Sequence, residues 1–538
     1  MDVVEALGNT AKKYPQNIGL KVSVCKPFAP VVYYEKTFKD LDHAVNLLAT
    51  YLLLKGFSKG LKVVLMLPPG EDLLVTVFAM LRLGTVPIVI DPGMGIKNLI
   101  KSVKQVQPDL FLGCPKSFPL YCLLKWYVKF KKALFLSQKL KEKLLKENFV
   151  CNLPNENNKD NLAAVLFTSG STGYPKGAAY TYNDFNEQIK ALKDTFNILE
   201  GEVDLPLLPV FSLYNPALGM TTVVPDMDPS HPSELDPQKI VNAILNYKVT
   251  NSFGSPRLWA KIADFCEENF LCFPSMKRIF VAGAPAHPIL LKRLQDLLVE
   301  GDVFIPYGAT EALPITFISA KEVLRETYDK TLKGCGTCVG HPLQGVKICI
   351  IPISDTPLSA LPKPLECGQI GEIVVSAPYI SKAYLNNPSA TSFAKIFDQG
   401  KVWHRMGDVG FVDDQNRLWF CGRKVERVQC EKSTFYTDCC EAIFNTHKDV
   451  FRSALIGFKE GDKTVPAIVI EPNKTLENEH VVLKELRALA KIYPTTQAID
   501  HFCIFKKFPV DVRHNAKIHR LSLAQYFNNH PKKVKIVL

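Results

Sequence analysis

Val63-Val-Leu-Met-Leu67, Glu71–Leu83 and Val86-Pro-Ile-Val-Ile90 follow one another with only short turns between them, and this succession decides the fold. The first and third are apolar runs of strand length. The second repeats its apolar residues at helical spacing and opens on two acids, Glu71 and Asp72, which suit the positive end of a helix. Asn98–Val106 then reads as a helix and Leu110–Gly113 as another buried strand. Alternating strands and helices predict a parallel, doubly wound α/β sheet. The alternation recurs downstream. There the pattern predicts helices over Pro237–Tyr247, Leu258–Glu268 and Pro288–Leu298, and strands over Asn251–Gly254, Arg278–Ala282 and Val303–Pro306. Beyond about residue 335 the character changes. Short strands such as Val346–Ile351 and Glu372–Ser376, set off by Gly and Pro turns, predict a β-rich subdomain. After the strand Leu418–Cys421 comes an α+β tail the size of a small domain.

The chain has 538 residues, more than the roughly 250–300 that one core serves, so more than one domain is expected. Its net charge of +12 favours acidic partners such as nucleotides or anionic surfaces. The densest basic stretches, Lys125–Lys132 and Lys532–Lys535, match no nucleic-acid-binding module, so no nucleic-acid partner is expected. Fifteen scattered cysteines in a chain this long are not a disulfide scaffold. Met1–Pro15 mixes charges with apolar residues, unlike a secretory signal, and a cytoplasmic protein is expected. The longest apolar stretch, Leu73–Ile90, is broken by Arg82 and Pro87 and reads as helix, turn and strand rather than a membrane span. Leu123–Ala133 mixes lysines with aromatics. It reads either as a peripheral contact with an anionic membrane or as a surface helix with snorkelling lysines.

The strand pattern Ala163–Phe167 runs into Thr168-Ser-Gly-Ser-Thr-Gly-Tyr-Pro-Lys-Gly177. Glycines let backbone N–H groups converge on an anion, hydroxyls donate further bonds, and Lys176 adds charge. The spacing is not that of a P-loop, because Lys176 is followed by Gly177 rather than Ser or Thr. Nor does it fit the dinucleotide fingerprint.

This string resembles the phosphate-loop signature of the adenylate-forming superfamily, which includes acyl-CoA synthetases, adenylation domains and luciferases. Further motifs stand in that family's order: Val281-Ala-Gly-Ala-Pro285, Tyr307-Gly-Ala-Thr-Glu311, Trp403-His-Arg-Met-Gly-Asp408, Gly422-Arg423 and Asn515-Ala-Lys-Ile-His-Arg520. The resemblance implies an N-terminal adenylation domain over 1–421, a hinge at 422–425 and a small mobile lid over 426–538. It implies ATP and Mg²⁺. Thr168, Ser169, Gly170, Ser171, Thr172, Gly173 and Lys176 would cradle phosphates, and Gly283, Ala284 and Pro285 would flank adenine. Tyr307, beside Gly308, can stack on the base. Asp408 can accept from both ribose hydroxyls, and Arg423 can donate to ribose or phosphate. Thr310 can donate to the α-phosphate and Glu311 can hold the Mg²⁺. Lys517 would supply the cation needed as a carboxylate attacks the α-phosphorus.

The acceptor of the acyl-adenylate is a separate question. In the CoA-using members a glycine after the hinge lines the thiol tunnel, whereas here the segment is Cys430-Glu-Lys-Ser-Thr434. Val89-Ile-Asp-Pro-Gly-Met-Gly95, Pro216-Ala-Leu-Gly-Met-Thr221 and Gly336-Thr-Cys-Val-Gly340 instead resemble the olefin β-lactone synthetases. That resemblance implies a long-chain β-hydroxy fatty acid as substrate and its own hydroxyl as acceptor, with AMP and pyrophosphate released. It also implies possible company with other hydrocarbon-pathway enzymes. CoA belongs to the alternative, a fatty-acyl-CoA ligase, or its acyl-AMP counterpart. Phe211 and Tyr214 are the candidates for lining an acyl pocket. His287, His341 and His404 lie near the motifs and are expected to be structural. Cys335-Gly-Thr-Cys338 has redox spacing but falls inside the subgroup-like string.

Overall fold

The computed structural model describes residues 2–24, 32–90, 94–147, 158–168, 175–228, 231–510 and 518–537. Within these it leaves aside the side chains of residues 24, 145, 147, 168, 209–211 and 233.

The alternation at 62–113 folds as read. Strands Lys62–Met66, Val86–Val89, Leu110–Gly113 and Lys132–Phe135 are parallel, and Val86–Val89 pairs in parallel with Leu162–Thr168. Lys176–Thr181 and Ala383–Tyr384 complete a seven-stranded sheet as an antiparallel edge. Helices Glu71–Leu83 and Ile96–Val106 connect the parallel strands. Val63, Val64, Ile88, Phe111 and Leu112 are buried, as strands covered on both faces require.

The second wound half forms around parallel strands Asn251–Gly254, Arg278–Val281 and Asp302–Ala309. Helices Pro237–Asn246, Pro256–Glu268 and Pro288–Asp296 pack on it around Trp259, Ile262 and Leu294. The expected β-rich strands form as well, and they continue this sheet. Strand Thr337–Pro342 pairs antiparallel with Ala312–Ser319 on one side and with Leu418–Arg423 on the other. The second wound half and the β-rich strands therefore form one continuous sheet. Composition signalled the change of character but not the join, because a single strand of ordinary sequence makes it. Gly340 is the residue that permits the bend there. Its φ is +85°, and a Cβ at this position would lie 2.0 Å from the Phe317 carbonyl oxygen.

The tail builds its own four-stranded sheet from Val450–Glu460, Lys463–Pro472, His501–Ile504 and Lys535–Ile536. Helix Thr437–Phe444 buries Cys439 and Cys440. Leu123–Ala133 is not a helix. The helix ends at Leu124, a run of turns follows, and a strand begins at Lys132. No described helix is long and apolar enough to cross a membrane.

Replacing Gly340 with Val is expected to lower unfolding free energy by about 3 kcal/mol or more, since it adds both positive-φ strain and a backbone clash. Chemical denaturation of the purified variant checks this, and an unchanged midpoint would refute the account of the join.

Candidate active site

The two sheets meet at a two-residue hairpin. Ala309 pairs with Ala312, leaving Thr310 and Glu311 as the turn between Asp302–Ala309 and Ala312–Ser319. Two tyrosines from the seven-stranded sheet hold this turn. Tyr180, fully buried on Lys176–Thr181, donates its hydroxyl to the Thr310 carbonyl. Tyr384, on the neighbouring strand, donates to Glu311 Oε1 at 2.6 Å. The Thr310 side chain stays exposed while Glu311 is buried. Neither tyrosine belongs to a motif quoted above. Their only signal in the sequence is an aromatic on a short strand.

The phosphate-loop segment starts and ends on paired residues, with Thr168 opposite Lys176. Lys176 Nζ lies 5.5 Å above the Tyr384 ring, within cation–π range. Tyr384 thus touches both the base of this loop and Glu311. The loop residues Ser169, Gly170, Ser171, Thr172 and Gly173 lie outside the described residues, as does the Thr168 side chain.

Asp408 is buried on the long strand Lys401–Val412, directly opposite Arg423 on Leu418–Arg423. Its Oδ2 accepts from the Tyr307 hydroxyl at 2.6 Å and its Oδ1 from Arg423 at 2.7 Å. Burial, and then the Asp408 carboxylate beside it, push the Tyr307 phenol well up, so the ring stays neutral and donating. Gly283, Ala284 and Pro285 follow the strand Arg278–Val281, which neighbours the Tyr307 strand. The adenine-loop residues therefore leave the carboxyl end of a parallel strand, where open α/β sheets place ligands. Gly308 is packed tightly, its would-be Cβ 2.5 Å from the Ala312 carbonyl oxygen.

Lys517 lies outside the described residues, but both flanks of its segment are fixed. Val510 bridges Ile518. Arg520 bonds Glu441 through Nε and a terminal nitrogen, each at 2.6 Å, and Glu426 just past the hinge positions at 3.0 Å. Lys424, within the Gly422–Val425 motif, donates to Glu372 at 2.9 Å, while Val425 is exposed.

Among the predicted bystanders, His404 is buried, bonded to the Ala394 carbonyl and held neutral by burial and by Lys395. His287 caps its helix through Ile289 N–H, and His341 meets Glu322 at 3.1 Å. Cys335 and Cys338 are both free, with thiols pushed up by burial, the Cys338 thiol to about 12. Sequence reasoning missed Lys395. It is fully buried, 3.4 Å from Ser381 Oγ, and burial pushes its ammonium down to about 7 against the pull of Glu311 and Asp184.

A magnesium ion fits Glu311. One carboxylate oxygen is taken by Tyr384, and the other receives no hydrogen bond from the described residues. That leaves one hard oxygen donor beside the phosphate loop, the usual protein share of a magnesium shell completed by phosphates and water.

Beside the turn, a half-open slot runs between helix Tyr182–Phe196 and the second sheet, with about 730 Å³ of empty space that includes the solvent at its mouth. Leu313, Pro314, Tyr214 and Gln188 line it near the Thr310–Glu311 turn, and Phe196, Ile198, Phe253 and Met220 line it further on. Its walls are almost wholly apolar. Tyr214 donates to Gln188 Oε1 at 2.5 Å, and the Gln188 amide donates to the Leu313 carbonyl. The Phe211 side chain lies outside what is described. Away from the turn the slot reaches Asp204, whose buried carboxyl accepts from Asn215 at 2.7 Å. Burial pushes that carboxyl up to about 7, against the opposing Asn215 bond.

The family model described as "AMP-binding enzyme" matches residues 10–385. The chain is 36% identical to an olefin beta-lactone synthetase of Stenotrophomonas maltophilia over 90% of each chain. It is 34% identical to one of Xanthomonas campestris over 97% of each. Among solved structures it is similar to an amide bond synthetase of Marinactinospora thermotolerans, with a TM-score of 0.78 at 19% identity over 98% of this chain and 100% of that one. It is also similar to an O-succinylbenzoate coenzyme A synthetase of Bacillus subtilis in complex with ATP and magnesium ion. There the TM-score is 0.76 at 21% identity, over 96% of this chain and 99% of that one.

The Asp204 carboxyl gives a pH test. Its pKa is higher folded than unfolded, so the folded state binds the extra proton between about pH 4 and 7, and stability falls as pH rises through that window. Asp204→Asn removes this loss while keeping an acceptor for Asn215. The variant is expected to match the parent near pH 4 and to exceed it by at most about 4 kcal/mol above pH 7. Denaturation midpoints at several pH values check this. A gap that does not widen with pH counts against it.

Proposed function

This chain belongs to the AMP-binding enzyme family as an ATP-dependent adenylate-forming ligase, and we propose that it activates a long-chain β-hydroxy fatty acid and closes it to a β-lactone. The observation that carries this reading is the composition of the slot beside Thr310–Glu311. Its walls are mainly apolar, and of its two hydrogen-bonding pairs Tyr214–Gln188 lies at the end nearest the turn while Asp204–Asn215 lies away from it. An alkyl chain suits the walls, and a hydroxyl close to the carboxyl end suits the nearer pair.

In the first step a substrate carboxylate oxygen attacks the α-phosphorus of ATP, and pyrophosphate leaves. Thr310 donates to the α-phosphate and Lys517 brings positive charge to the developing oxyanion. Asp408 accepts from the ribose hydroxyls, with Tyr307 and Arg423 holding its orientation. Glu311 would hold magnesium, which when bound offsets charge on the phosphates. In the second step the β-hydroxyl oxygen attacks the acyl carbonyl, the hydroxyl proton is released, and AMP departs as the four-membered ring closes. Tyr214 would orient that hydroxyl, since its oxygen can accept while its proton stays with Gln188. Between the steps, residues 426–538 would turn about 422–425, which would carry Lys517 away from the phosphate.

Two features support an internal acceptor over a thiol. The chain is similar over nearly its full length to proteins named olefin beta-lactone synthetase. The turn after the hinge, closed by Cys430 N–H to the Ser433 carbonyl, carries exposed Glu431 and Lys432 and has no glycine to leave room for pantetheine.

With ATP, magnesium and a 3-hydroxy fatty acid but no CoA, the enzyme is expected to yield AMP, pyrophosphate and a β-lactone detectable by mass. AMP release that requires CoA, with an acyl thioester as product, would overturn the proposal in favour of an acyl-CoA ligase. Tyr214→Phe is expected to lower the preference in kcat/KM for the 3-hydroxy acid over the plain acid by roughly three- to tenfold. An unchanged preference would remove Tyr214 from hydroxyl recognition.

A further inference from the structure

The corner of the molecule at strand Lys132–Phe135, an edge of the seven-stranded sheet, plays no part in the chemistry above. We propose that this corner docks the protein on an anionic lipid bilayer. From Leu110 to Lys141 the chain has no acidic residue and seven lysines: Lys116, Lys125, Lys129, Lys131, Lys132, Lys139 and Lys141. Lys131 pairs with Asp109, Lys132 donates to the Lys55 carbonyl and Lys141 pairs with Asp72. Lys116, Lys125 and Lys129 are exposed and meet no acid among the described residues. Lys104 adds its ammonium from helix Ile96–Val106, 4.7 Å above the Tyr127 ring.

The same corner exposes large aromatics. Helix Phe118–Leu124 ends in a tight turn, with Trp126 N–H bonded to the Leu123 carbonyl and Tyr127 N–H to that of Leu124. The turn directs Trp126 outward, 87% exposed, with Tyr127 and Phe118 also exposed. It stands on a firm base. Phe111, Tyr121, Phe130 and Phe135 form an aromatic cluster with centroids 5.2–5.8 Å apart. Phe118 joins it at 5.5 Å from Phe135. Exposed Trp and Tyr ringed by unpaired lysines suit a headgroup region, where the rings sit at the acyl boundary and the ammoniums meet lipid phosphate. A nucleic-acid duplex would use the charges but offers a projecting indole no unpaired base to stack on.

The chain reports on its own docking. Trp259, Trp403 and Trp419 are buried, so a change in tryptophan emission on binding reads out Trp126. With the full-length protein, vesicles of phosphatidylcholine plus phosphatidylglycerol are expected to co-sediment it, shift its emission to the blue and quench it when the acyl chains are brominated. Raising salt should reverse all three, and phosphatidylcholine vesicles alone should show little of them. Trp126→Ala and the pair Lys125→Glu with Lys129→Glu are each expected to lower co-sedimentation, the charge reversal by roughly tenfold or more. No binding to anionic vesicles would overturn the proposal. So would unaltered binding of both variants, or an emission shift produced by a DNA duplex and not by vesicles.

Discussion

The hydrogen bond from the Tyr384 hydroxyl to Glu311 is where the two halves of the molecule become one site. The phenol comes from the sheet that carries the phosphate loop, and the carboxylate from a hairpin turn of the other sheet. Buried and charge-assisted, such a bond is among the stronger ones in a protein, and either partner left alone would be costly. Tyr180 adds a second bond to the same turn, on its backbone. A turn held by two bonds to one sheet is restrained, and charge placement depends on such rigidity. Lys176, over the face of the same Tyr384 ring, ties the end of the phosphate loop to the acid proposed to hold its metal.

Asp408 makes the equivalent tie between Tyr307 and Arg423. One buried carboxylate ties the strand of Tyr307 to the strand that ends at Arg423, immediately before the proposed hinge. Tyr307 and Arg423 both donate to the carboxylate and fix its orientation. Past the hinge, Arg520 reaches back from the far side of the Lys517 segment to Glu426. Arg520 is thus tied to Glu426 and Glu441 by ion pairs and hydrogen bonds.

Much of this was legible in the residues. Apolar runs at strand length and acids at helix starts placed the wound strands and helices to within a few positions, because buried parallel strands have few other sequences open to them. Tyr307, Asp408 and Arg423, picked from separate motifs, come together in one hydrogen-bonded set. Tyr180, Tyr384 and Lys395 escaped notice because each acts through a neighbour brought close only by the fold. The join at Thr337–Pro342 escaped for a similar reason. Pairing partners that lie far off in sequence leave no local trace. Leu123–Ala133 looked helical by composition, yet a tertiary aromatic cluster turned it into a turn and an edge strand, as packing often overrides propensity.

The Thr337–Pro342 strand has a bearing on the order of assembly. Its first neighbour, Ala312–Ser319, is made before it, but its second, Leu418–Arg423, lies far downstream. Pairing across so long an intervening chain is slow, since loop entropy is lost before contacts repay it. During synthesis the slot, the phosphate-loop hairpin and both tethering tyrosines are all present before the strand that carries Asp408 is complete. The walls of the slot can therefore close before Asp408 reaches Tyr307, and the Tyr307–Asp408–Arg423 set waits on the downstream strands.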